Sequence, residues 1–125
     1  MSGFTLDAGA LIALDRGDRR VLAILARSAE LGERVTVPAT ALAQAMRRPA
    51  KQARLSRLIR QTTTDLHPLD GPDATSVGLL LAASRTADIV DAHVVVCARR
   101  NEQVIVTSDP VDLRRLDPGA TLIVV

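Results

Sequence analysis

Apolar residues in this chain follow two alternating patterns. Short unbroken runs read as strands: Phe4-Thr5-Leu6, Val35-Thr36-Val37, the extended piece Asp65 to Leu69, Val104-Ile105-Val106, and Thr121 to Val125. Between them, apolar positions recur at helical spacing. Ala8 to Leu14 is a small helix. Arg19 to Leu31 is a longer one, started by Asp18 as N-cap and closed by Gly32. Ala39 to Met46 follows the second run, which Pro38 stops. Arg47-Arg48-Pro49 then breaks the chain before a basic amphipathic helix, Ala50 to Gln61. Gly71 to Ser84, Ile89 to Arg100 and Pro110 to Leu116 complete the set. Strands that are unbroken apolar runs, separated by helices, belong to a parallel sheet covered on both faces. The expected fold is α/β, a three-layer α/β/α sandwich around a short, mostly parallel central sheet, in one domain spanning 1–125.

Composition narrows the chemistry. Of 125 residues one is Phe, and there is neither Tyr nor Trp, so the core is aliphatic and aromatic base-stacking platforms are excluded. The one cysteine, Cys97, lies in the apolar run VVVCA; it rules out an internal disulfide or a multi-cysteine zinc site and reads as a buried thiol of a cytoplasmic protein. No segment is long and apolar enough to cross a bilayer, and no signal-peptide pattern opens the chain, so no membrane partner is expected. A formal net charge of +2 with a pI of about 9.5 accommodates a polyanionic partner without requiring one.

Acids stand where strands give way to helices. Asp7 follows the first strand and Asp109 the fourth, while Asp91 lies in the first turn of a helix with Asp88 one turn earlier and Asp112 starts the next helix. In open α/β sheets the carboxyl ends of the strands border the ligand crevice. Each acid taken singly is explained by helix capping: Asp109-Pro110 is a cap followed by Pro at N1, and Asp88 caps equally well. Taken together, Asp7, Asp91 and Asp109 point to a cation. Asp91 occupies an apolar helix where no cap is needed, and carboxylates gathered in one crevice require protons or a divalent ion to balance them. Oxygen ligands of this kind suit Mg²⁺ or Mn²⁺, which would bring a phosphate substrate. His67 and His93 have no nucleophile beside them, and there is no Walker A or dinucleotide-binding glycine pattern.

Four stretches in order, LDAGALIAL, VPATALAQAMR, DIVDAHVV and VIVTSDPVDLRRL, resemble the PIN-domain family, in particular the VapC-type ribonuclease toxins of toxin–antitoxin pairs. The resemblance runs along the whole chain and places the family's acidic positions at Asp7, Gln44, Asp91 and Asp109, with Asp88 and Asp112 as auxiliary acids. It implies an Mg²⁺- or Mn²⁺-dependent endoribonuclease that hydrolyses RNA phosphodiester bonds, held by a cognate antitoxin protein and assembled as a homodimer. Asp7, Asp91 and Asp109 would be the catalytic metal ligands. Gln44 departs from the family's Glu: it keeps the size and an acceptor oxygen but removes a charge, which weakens the hold on a hard cation. Thr107 and Ser108 are placed to hydrogen-bond a ligand carboxylate or a phosphate, or only the local backbone. Arg47, Arg48, Lys51 and Arg54 are the candidates for the RNA backbone; outward charges on any amphipathic helix are the plainer account of them. Two alternatives stand beside the toxin reading: an inactive PIN-like RNA- or protein-binding module, which Gln44 favours, and an RNA-processing nuclease outside a toxin system.

Overall fold

A computed structural model describes residues 3–125. Five strands form one sheet: β1 (Phe4–Leu6), β2 (Val35–Pro38), β3 (Thr64–His67), β4 (Val104–Thr107) and β5 (Leu122–Val124). Their order is β3-β2-β1-β4-β5, and every neighbouring pair is parallel. All four residues of β2 are buried, as are Ile105, Val106 and Thr107 of β4, whereas the edge strands β3 and β5 are only partly covered. Central strands buried on both faces explain why the sequence shows unbroken apolar runs instead of alternation.

Seven α-helices are described: α1 (Ala8–Asp15), α2 (Arg19–Glu30), α3 (Ala39–Ala45), α4 (Ala53–Ile59), α5 (Gly71–Ser84), α6 (Ile89–Asn101) and α7 (Pro110–Leu116). The expected caps form. Asp18 accepts from the amides of Arg20 and Val21 at 2.9 and 3.1 Å, and Gly32 follows α2 at φ +67°, a left-handed turn that favours glycine. Helix α6 is the central one. It lies against β1, β2 and β4 and packs on α3, α5 and α7, with Ala92 to Val95, Cys97 and Ala98 all buried. The core is aliphatic as composition required, with Leu6, Leu11, Leu55, Ile105 and Leu113 among its fully buried large side chains.

One expected element is wrong. The basic helix placed over 50–61 is two pieces, a 3-10 turn at Pro49–Lys51 and α4, separated by Gln52 in a non-helical conformation (φ −113°, ψ 56°). The buried Gln52 side chain is the reason. Its Oε1 accepts from the amides of Arg47 and Arg48 at 2.9 and 2.8 Å, and its Nε2 donates to Ala45 O at 2.9 Å. The side chain thus satisfies backbone groups left over at the end of α3, and the chain cannot run helically through it.

The sheet order fixes where a ligand belongs. From β1 the chain moves outward to β2 and β3, then crosses to the other side of β1 to form β4 and β5. The switch of direction lies between β1 and β4, and Asp7 and Asp109 sit just past the carboxyl ends of those two strands.

Candidate metal centre

Asp7 is 3% exposed and joins the two strand ends. One carboxylate oxygen, Oδ1, caps α1 by accepting from the Ala10 amide at 2.7 Å; the other, Oδ2, accepts from Thr107 Oγ1 at 2.5 Å. The Thr107 hydroxyl in turn accepts from the Asp109 amide at 2.8 Å, so one side chain positions both acids. Burial raises the Asp7 pKa, and the nearby negative charge of Asp109 adds to that, while the bonds from Thr107 and Ala10 oppose it. Ser108 is exposed and folds over the first turn of α1: a Cβ on Gly9 would lie 2.0 Å from Ser108 Oγ, so glycine lets the Ser108 hydroxyl take this position.

Asp109 occupies the N-cap position of α7, yet its side chain makes no capping hydrogen bond. The capping explanation, which was sufficient for this residue from sequence, therefore does not account for its carboxylate. At α6 it is Asp88 that caps, accepting from the Asp91 amide at 2.9 Å. No hydrogen-bond donor among the described residues reaches the Asp91 carboxylate. It lines a hollow of about 180 Å³ with Asp88, Asp112, Thr86 and Arg115. Its pKa is pushed up to about 7, first by burial and then by the charges of Asp88, Asp7, Asp112 and Asp109. Asp112 is also raised, chiefly because hydrogen bonding to Asp109 favours its protonated form; Arg115, at 3.8 Å, pulls the other way. Five acids thus act on one region, and the charge they would carry when fully ionised is not offset by a buried base there. Among the described residues no three of these carboxylates bring their oxygens within 4.8 Å of one another, so an ion would have to draw them together. Their all-oxygen chemistry is of the kind that suits Mg²⁺ or Mn²⁺.

Gln44 does not line that hollow. It is exposed on α3 and lines a hollow of about 480 Å³ with Asp15, Arg47, Arg48, Lys51 and Gln52. That hollow collects three of the four basic residues singled out from sequence. The fourth, Arg54, belongs to α4, donates to Asp15 O at 3.2 Å, and lines a separate groove between α2 and α4. Gln52, which no sequence motif marks, holds the Arg47-Arg48 turn in place.

A second buried polar cluster also escaped the sequence reading. Asp73 of α5, with His93 and Cys97 of α6, present an oxygen, a nitrogen and a sulfur within 4.8 Å of one another, all buried. Asp73 also pairs with Arg100, which lowers its pKa. Only the spacing of His93 and Cys97, one helical turn apart, was visible in the sequence; the partner helix was not.

The parallel sheet between helices, with acids at its switch point, agrees with the PIN-like α/β sandwich that the motifs resemble. No family model matches the chain, and no curated protein sequence matches it. Solved structures do match. A chain of FitAcB from Neisseria gonorrhoeae is similar with a TM-score of 0.66 and 17% identity, over 96% of each chain. A chain of FitAB bound to an IR36 DNA fragment gives 0.65 and 16%, over 96% of this chain and 93% of that one. VapBC2 from Rickettsia felis, bound to a DNA fragment from their promoter, gives 0.69 and 13%, over 98% of each chain. At these identities the likeness is one of fold, and it agrees with the resemblance drawn from the motifs. No helix among the described residues is long and apolar enough to cross a membrane.

Proposed function

We propose that the protein is a divalent-metal-dependent endoribonuclease, the toxin of a toxin–antitoxin pair, with Asp7, Asp91 and Asp109 as metal ligands and Asp88 and Asp112 as auxiliary acids. The observation that carries this reading is Asp91: a carboxylate without a hydrogen-bond donor, raised to about 7, beside the other acids at the switch point of the sheet. Mg²⁺ or Mn²⁺ bound there would lower the pKa of a water and neutralise charge developing on a phosphodiester. The chain's own residues do the rest. Thr107 holds Asp7 in its orientation, Gly9 admits Ser108 to the rim, and the Ser108 hydroxyl is free to donate to a phosphate oxygen. Arg47, Arg48 and Lys51, which share a hollow with Gln44 and Gln52, would attract the RNA backbone.

An antitoxin partner and a homodimer follow from the family resemblance, and the similar folds in FitAB and VapBC2 support a protein partner. One observation favours a second reading, a weak or inactive binding module: the family's fourth acidic position holds the neutral Gln44. Purified protein incubated with RNA and Mn²⁺ separates the two. The nuclease reading expects cleavage that chelation stops and that Asp7→Asn and Asp91→Asn abolish; intact RNA with the wild type would leave the binding module.

A further inference from the structure

Helices α5 and α6 close on a cluster the proposed nuclease site does not use. Asp73 is 1% exposed, His93 and Cys97 are 0%, and their donor atoms lie within 4.8 Å of one another. His93 Nδ1 is 2.7 Å from Thr40 Oγ1 on α3, which fixes the ring. His93 Nε2 faces Asp73 Oδ2 at 3.3 Å, longer than the roughly 2.7–2.9 Å of a charge-assisted hydrogen bond. Arg100 holds the same carboxylate with two donors, Nη1 to Oδ2 at 3.2 Å and Nη2 to Oδ1 in close contact. The Cys97 thiol makes no hydrogen bond among the described residues and is the one cysteine of the chain.

We propose that Asp73, His93 and Cys97 form a second cation site, for a zinc-class transition metal, that clamps α5 to α6. The donor set decides the class. A thiolate, an imidazole and a carboxylate suit Zn²⁺ or Co²⁺, and an oxygen-seeking Mg²⁺ would not choose them. Tetrahedral zinc, with bonds of about 2.0–2.3 Å, sets its donors roughly 3.3–3.8 Å apart, so the three donors need only a small inward movement, and a water would take the fourth position. Thr40 Oγ1 can accept from Nδ1–H, which leaves the Nε2 lone pair available to a metal; without one, Nε2–H donates to Asp73 Oδ2, and a bound ion would replace that long bond. Thr40 then plays the part that an outer hydrogen-bond partner plays for a metal-bound histidine. On binding, the Cys97 S–H proton leaves to solvent and the sulfur pair goes to the metal. Thiolate and carboxylate together balance the ion's two charges, and the half-exposed Arg100, now paired with Asp73, would share that carboxylate with the metal or turn to water.

The single cysteine makes the test direct. Chelator-treated protein is titrated with Co²⁺ and followed by absorption. The proposal expects a thiolate-to-cobalt charge-transfer band that saturates at one equivalent, persists in Asp7→Asn, and is absent in Cys97→Ala. Thr40→Val and His93→Gln should weaken cobalt binding by tenfold or more. Zn²⁺ should raise the melting temperature of Asp7→Asn but not that of the Asp7→Asn/Cys97→Ala double variant, a comparison that remains available where His93→Gln does not fold. Absence of the band in folded wild-type protein would overturn the proposal. So would a band lost in Asp7→Asn, a cobalt affinity indifferent to both Thr40→Val and His93→Gln, or an equal zinc response with and without Cys97.

Discussion

Thr107 Oγ1 donates to Asp7 Oδ2 at 2.5 Å, a hydrogen bond between residues one hundred positions apart that ties the ends of the two strands at the switch point. Because the same hydroxyl accepts from the Asp109 amide, Thr107 sets both the orientation of one acid and the backbone of the other. Thr107→Val keeps the shape and removes both interactions. Hydrogen bonds to charged groups contribute about 1.5–3 kcal/mol, so the variant should lose stability of that order in urea unfolding. Its Mn²⁺ affinity should fall as well, because Asp7 loses its positioning. Unchanged affinity would show that the capping bond from Ala10 alone holds Asp7 in place.

Gly9 and Ser108 form a second close contact at the same rim. Gly9→Ala places a methyl 2.0 Å from Ser108 Oγ, which forces the Thr107–Asp109 turn or the Ser108 rotamer to shift. The expected cost is about 1–2 kcal/mol, in the range for overpacking. Combining it with Ser108→Gly should recover most of the loss. A double variant no better than Gly9→Ala would place the strain in the helix rather than across this contact.

Much of this arrangement was legible in the sequence, and the reasons are local. Asp18 and Gly32 announce the ends of α2 because capping acts over three or four residues. The unbroken runs at β1, β2 and β4 report burial on both faces. Asp7 and Asp109 could be singled out because each follows a strand, and Asp91 because it stands in an apolar helix where no cap is needed. What stayed hidden depends on tertiary partners. Gln52 interrupts the basic helix through hydrogen bonds to Arg47, Arg48 and Ala45, and nothing in residues 50–61 breaks a helix by itself. Asp73 looked like an ordinary acid of a first helical turn, and its meeting with His93 and Arg100 exists only once α5 packs on α6. Asp109 looked like a cap because the Asp-Pro pattern is a capping pattern, although here its carboxylate does not cap.

The raised Asp91 pKa makes the metal-free protein sensitive to pH. Its folded value of about 7 lies above the ordinary 3.8, so the folded state binds this proton more tightly than the unfolded chain does. Stability is then fullest below about pH 4, falls as pH rises toward 7, and levels off above it. After allowance for solvent screening at a hollow open to water, the loss should be about 2 kcal/mol. Melting temperatures between pH 4 and 8 without metal should show the decline, and Asp91→Asn should flatten it and be more stable than wild type at pH 8. A parallel decline in Asp91→Asn would assign the effect to other acids.

Gln44 stands beside Arg47, Arg48 and Lys51, so two outcomes of Gln44→Glu can be told apart. If α3 contributes to the metal centre as the family's pattern implies, the new carboxylate should strengthen Mn²⁺ binding severalfold in calorimetry, because it restores an anionic oxygen. It should also weaken the basic hollow's hold on RNA and make the dependence of RNA binding on salt shallower, because one phosphate contact is opposed. Weaker RNA binding with unchanged Mn²⁺ affinity would place Gln44 with the backbone-binding residues alone. The fourth ligand of the cation would then come from Asp88 or Asp112, and Asp88→Asn or Asp112→Asn should lower Mn²⁺ affinity where Gln44→Glu does not raise it.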